Sequence, residues 1–196
     1  MMTKLLIRFA VLSLFSLPAY AVLKPGDVAP TFSAQASLAG KEFTFSLDDA
    51  LQKGPVVVYF YPSAYTKGCD IEAHTFAQDK DEFTAAGATV IGVSADSIAR
   101  LDAFSSDPDY CAGKFPVASD QDSKIAASYQ LATSAGKPGM MDVRGNPIGH
   151  DFIERVTFVI GKDHKIVAVF SSNADHLSPD QHVTKSLETV QQLSSK

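Results

Sequence analysis

Residues 56–76, VVVYFYPSAYTKGCDIEAHTF, run a buried-looking strand into a proline and then set one cysteine, Cys69, where a helix should begin. Backbone N–H groups in the first turn of a helix lack intrahelical partners, and the helix dipole favours negative charge there. A thiol so placed is expected to ionise more readily and to act as a nucleophile near neutral pH. Position alone leaves a second reading open, a buried and inert structural cysteine, because cysteine is among the most buried residue types. The chain holds one further cysteine, Cys111.

The elements that must position Cys69 are read from hydrophobic pattern. PTFSAQASLAGKEFTFSL alternates on both sides of Ala39-Gly40-Lys41, as a hairpin does. VVVYFYP and ATVIGVSAD are continuous apolar runs, expected for strands covered on both faces. Between them, Ile71, Phe76 and Phe83 are spaced for one helical face from Asp70 to about Ala86, with Gly87 as a stop. A helical stretch near Ser97–Ser105 follows, then the irregular SSDPDYCAGKFPVASD and a short helix in SKIAASYQL. RVTFVIGKDHKIVAVFSS reads as an antiparallel hairpin turning at 161–164, and Ser178-Pro179 opens a closing helix. The segment 132–152 is long, glycine-rich and polar, the mark of a functional or mobile loop. The expected class is α/β, a mixed central sheet with helices on both faces and an N-terminal hairpin.

The 196 residues suffice for one domain. The net charge of −5 argues against nucleic acid or an anionic membrane surface as partner. MMTKLLIR, the apolar FAVLSLFSLP and the small-residue site Ala19-Tyr20-Ala21 match the three regions of a signal peptide. Residues 1–21 are therefore expected to be cleaved, leaving 22–196 as the domain; loss of Lys4 and Arg8 takes the charge from −5 to −7. Export, to the periplasm in a Gram-negative host, would permit Cys69 and Cys111 to pair, although sequence supplies no distance between them. The five histidines show no metal-ligand spacing, and no cofactor is expected.

Pro62, Thr66 and Cys69 form P-x-x-x-T-x-x-C, and here the chain resembles the peroxiredoxins, most nearly the Q-type group, also called bacterioferritin comigratory proteins. The likeness continues through LKPGDVAPTFSAQ, VIGVSAD, FPVASDQDSKIAASY and IERVTFVIGKDHKIVAVF. It implies a thioredoxin-like fold and thiol-dependent reduction of hydrogen peroxide and organic hydroperoxides. Cys69 would be the peroxidatic nucleophile, passing through a sulfenic acid. Thr66 would hydrogen-bond sulfur and peroxide, Pro62 would shield the pocket, and Arg155 would hold the thiolate form. Glu72 matches a carboxylate that could orient Arg155; a solvated first-turn acid is the other reading. Partners would be the peroxide and a reducing dithiol protein or small thiol, with no membrane contact after signal cleavage, on a monomer or weak dimer.

The chain departs from that pattern at His74, where many Q-type enzymes carry a second cysteine. Cys111 is the remaining candidate to resolve the sulfenate through an intramolecular disulfide. The alternatives are a one-cysteine peroxidase resolved by an external thiol, or a non-enzymatic exported thiol- or metal-binding module. A thioredoxin-type C-x-x-C exchange is closed, since Thr66 occupies the first position.

Overall fold

The computed structural model describes residues 22–195; the expected signal peptide, residues 1–21, lies outside the described residues. In chain order the elements are β1 (Ser33–Leu38), β2 (Lys41–Ser46), α1 (Leu47–Lys53), β3 (Val56–Phe60), α2 (Lys67–Gln78), α3 (Lys80–Ala85), β4 (Thr89–Ser94) and α4 (Ile98–Ser106). There follow β5 (Val117–Ser119), α5 (Lys124–Ser128), β6 (Thr133–Ser134), β7 (Phe152–Ile153), β8 (Val156–Ile160), β9 (Ile166–Ser171) and α6 (Pro179–Ser194).

Seven strands form one sheet in the order β2-β1-β5-β4-β3-β8-β9. β3, β4 and β5 run parallel, and the remaining pairings are antiparallel, so the sheet is mixed as expected. Strand β3 is buried along its whole length, and its side chains alternate between two cores. Val56, Val58 and Phe60 face the cluster that α1 and α5 cover; Val57, Tyr59 and Tyr61 face the one beneath α2, α3, α4 and α6.

Three elements differ from the sequence reading. Helix α1, capped by the Ser46 hydroxyl accepting from the Asp49 N–H at 3.2 Å, was not anticipated. Nor was β5, whose three residues join β4 to the hairpin. The single helix expected from Asp70 to about Ala86 starts at Lys67 and breaks at Asp79 (φ −87°, ψ 6°) into α2 and α3. That break lets the Phe76 and Phe83 rings meet at 5.5 Å, while Ile71, expected on the same face, is 43% exposed.

The far half of α2 is fixed by aromatic packing. The Phe76 ring stacks on Tyr59 at 4.6 Å and meets Phe115 edge-on at 6.0 Å. Gly92 makes room for Tyr59, since a Cβ there would lie 2.6 Å from the ring. Truncating a ring so buried costs about 3–5 kcal/mol. The segment 132–152 is an ordered lobe: β6 and β7 pair antiparallel to close its ends, and the Ile148 N–H donates to the Met140 carbonyl at 2.9 Å within it.

Candidate active site

Thr66 is the N-cap residue of α2, which puts Cys69 in the first turn, as the sequence reading expects. Arg155 directly precedes β8, and the Phe60–Val156 pairing sets it beside the 61–66 loop that leaves β3. Its Nη2 donates to Cys69 Sγ at 3.1 Å, and its Nη1 donates to Glu72 Oε2. Glu72 follows Cys69 by three residues and therefore shares its helix face. Gly68 admits the guanidinium, because a Cβ there would stand 3.2 Å from Arg155 Nη2. Cys69, Glu72 and Arg155 are thus brought together, with Glu72 fully buried rather than solvated.

The electrostatics are a contest. Cys69 is 1% exposed, and burial holds its thiol above the ordinary value. Arg155, the Thr66 hydroxyl and the Ser63 backbone pull the other way. The helix-end argument alone expects a depressed pKa; burial, invisible at that stage, opposes it. Burial likewise raises the Glu72 carboxyl to about 7 against the pull of Arg155. For Arg155 burial favours the neutral form, but Glu72 and Cys69 outweigh it and keep the guanidinium charged. One cation therefore serves two acids, and each added negative charge on one raises the pKa of the other.

Thr66 Oγ1 donates to the Ser63 carbonyl at 2.8 Å. A hydroxyl has one proton, so Thr66 draws the Cys69 pKa down only in the rotamer that releases Ser63 and donates to the sulfur. Pro62 borders a cleft of about 430 Å³, whose lining includes Thr133, Phe152, Ile153, Arg155 and Asn173. Pro62 and Arg155 thus border a concave, partly apolar space, which Cys69 and Thr66 do not line.

Cys111 is fully buried in the same apolar cluster as Cys69, and both thiols are free. It lies in the turn after α4, where burial, then Asp107 and Asp70, push its pKa well up. Tyr110 beside it meets the Tyr65 ring edge-on at 5.3 Å.

Two groups of residues escaped the sequence reading. His182 of α6 lies 4.0 Å from Glu72 Oε1, an atom without a hydrogen-bond partner among the described residues. Ser172 Oγ donates to the Leu177 carbonyl at 3.0 Å, so its oxygen accepts from His182 Nε2. In the neutral ring Nδ1 is then the bare nitrogen and accepts from Thr157 Oγ1 at 2.9 Å. Burial and then Arg155 lower its pKa to about 4, in keeping with that tautomer. In the second group Asp96 and Arg100 hold the Ala64 backbone, and His150 bonds Asp96. A lone aspartate at the C-terminal end of β4 was its only sequence signal.

The AhpC/TSA family model matches residues 25–169. Peroxiredoxin Bcp of Escherichia coli is 34% identical over 148 residues, 76% of this chain and 85% of that protein. Among solved structures, peroxidoxin BcpB of Mycobacterium tuberculosis superposes with a TM-score of 0.70 at 29% identity, covering 87% of this chain and 98% of its own. AhpC of the same organism, at 23% identity and a TM-score of 0.67, covers 89% and 95% and shows the shared fold.

Proposed function

The chain belongs to the AhpC/TSA family as a Q-type peroxiredoxin, a thiol-dependent peroxidase, and from that premise we propose how its own residues perform the reaction. The observation that carries the assignment is the 3.1 Å contact from Arg155 Nη2 to Cys69 Sγ in the first turn of α2. Peroxide enters the cleft beside Pro62. The Cys69 thiolate attacks one peroxide oxygen; the S–O bond forms, the O–O bond breaks, and the departing hydroxide or alkoxide takes up a proton. Arg155 stabilises charge on the sulfur and on the oxygens as it shifts between them. Thr66 orients the peroxide, and Glu72 orients Arg155.

The sulfenic acid so formed is resolved by Cys111. Its thiolate attacks the Cys69 sulfur, forming an S–S bond and releasing water, and a thioredoxin-like dithiol or small thiol then reduces the disulfide. Both sulfurs are buried, which supports a resolution step that first unwinds the start of α2. The protein acts after export as a monomer or weak dimer. Residues 1–21 support that reading by composition, and N-terminal sequencing of the mature protein is expected to start at Val22.

Intact mass of the reduced protein after one equivalent of hydrogen peroxide tests the scheme. Loss of two hydrogens, abolished in Cys69→Ser and in Cys111→Ser alike, is expected. A gain of oxygen confined to Cys69 would leave the peroxidase and transfer resolution to an external thiol. No change would remove Cys69 from the chemistry.

A further inference from the structure

A carboxylate outside the reacting group holds the loop that delivers Cys69. Asp96 Oδ2 accepts from the Ala64 N–H at 2.7 Å and from Ser94 Oγ at 2.8 Å. Its Oδ1 accepts from Ser63 Oγ at 3.2 Å and His150 Nε2 at 2.8 Å, and ion-pairs with Arg100, whose Nε lies 2.9 Å away. Ser63 and Ala64 stand between Pro62 and Thr66. Arg100 Nη2 donates to the Ala64 carbonyl at 2.9 Å and ion-pairs with Asp142 Oδ2 at 2.9 Å. The neighbouring Val143 N–H donates to the Tyr65 carbonyl at 3.0 Å. Tyr65 sits at φ 59°, a left-handed conformation that a bulky residue keeps only when its surroundings impose it.

His150 is the part of this clasp that titrates. Nε2 faces the Asp96 carboxylate, and Nδ1 faces the Asp151 carbonyl at 2.8 Å. Both partners only accept, and a neutral imidazole has one N–H. Only the imidazolium makes both bonds at once, with the Ser63 hydroxyl, 3.2 Å from Nε2, giving its proton to Asp96. Burial and Arg100 oppose the charge, but Asp96 and the Asp151 carbonyl prevail and raise the pKa above its ordinary value. The facing groups are few: Asp96 from the turn after β4, Arg100 from α4, and Ser63 from the catalytic loop. Tyr61, at the end of β3, faces Asp96 and stays neutral because burial and that carboxylate raise its pKa. Arg144 binds Asp142 at 3.2 Å on the outer side of Arg100. The His150 backbone is itself seated closely, since a Cβ on Gly136 would lie 2.4 Å from its carbonyl oxygen.

We propose that His150 is a positioning residue for the peroxide-reducing loop, clasping residues 63–65 through Asp96 as an imidazolium, and that its deprotonation loosens the loop toward the unwound form in which Cys69 is resolved. A basic group with a raised folded pKa stabilises fully below about pH 6.5, its ordinary value, and loses that contribution as pH rises through the raised one. The clasp is thus tight in mild acid and slack in mild base. Its catalytic consequence rests on the peroxidase reading, whereas the clasp itself does not.

Amide exchange of Ala64, corrected for intrinsic rate, tests the proposal together with the ring-nitrogen shifts of His150. Wild type is expected to show both nitrogens protonated at pH 6, and Ala64 protection falling about tenfold by pH 9, the size of one charge-assisted hydrogen bond. In His150→Gln the corrected profile is expected to be flat, near the wild-type level at pH 9. A neutral ring at pH 6, or one identical sloping profile in both proteins, overturns it. If the variant does not fold, the wild-type shifts and profile still decide. Both readings are independent of turnover, so failure of the clasp and loss of peroxidase activity are distinguishable.

Discussion

His74 Nδ1 donates to the carbonyl of Asp109 at 3.1 Å, tying the third turn of α2 to the turn that carries Cys111. The histidine that replaces the second cysteine of many Q-type enzymes thus fastens the peroxidatic helix to the turn bearing the proposed resolving thiol. Opening this exposed bond costs about 1 kcal/mol, which a variant without it does not meet. His74→Ala is therefore expected to speed disulfide formation up to about fivefold, followed by rapid acid quench and mass after a peroxide pulse. An unchanged rate would mean that the Cys111 turn does not limit resolution.

Among the described residues, Arg155 alone donates hydrogen bonds to both Cys69 and Glu72. Arg155→Gln is expected to raise the Cys69 pKa by about one to three units. Peroxide reduction at pH 7 should fall on the order of ten- to a thousandfold. Gly68→Ala, which crowds Nη2 without removing it, is expected to give a smaller loss, about tenfold, from misplacement alone. Alkylation rate against pH measures the thiol directly, and superimposable curves for wild type and Arg155→Gln would count against the assigned role.

Glu72 makes a prediction about stability. Its carboxyl is raised to about 7 in the fold, against an ordinary value of about 4.3. The folded state binds the extra proton between those limits, so the group favours folding below about pH 4.3, and that contribution is lost as pH rises through 7. Glu72→Gln is expected to gain on wild type across that window by on the order of 3 kcal/mol, read from urea unfolding at successive pH values. The same variant should lower the Cys69 pKa, because the carboxylate raises it. A pH-independent difference in stability would show that Glu72 titrates alike in the folded and unfolded chain.

What could be read from the chain follows the range of the forces involved. Strands β3, β4 and β8 announce themselves because burial on both faces leaves an unbroken apolar run, and α6 because the cap residue Ser178 is followed by Pro179 at the first helical position. Cys69 stands out by its place at a helix start, whereas Thr66 and Pro62 are legible through the motif that carries the family resemblance. Arg155 and Glu72 were legible only by resemblance, since their meeting depends on the pairing of β3 with β8. The break at Asp79 hides inside a continuous helical period, and β5 is too short to show one. His150 and Asp96 are 54 residues apart, and no periodicity joins them.

The Phe76 stack sets a geometric limit on the loosened state. Cys69 precedes that ring by seven residues, a span of about 10 Å as helix and about 24 Å when extended. With the ring held against Tyr59, unwinding gives the sulfur a leash of fixed length and a fixed anchor point. Its search is confined to a small hemisphere at one end of the sheet, so a resolving thiol meets it at high effective concentration within the same chain. Loss of the ring would lengthen the leash and dilute the encounter, even with every group around the sulfur left in place.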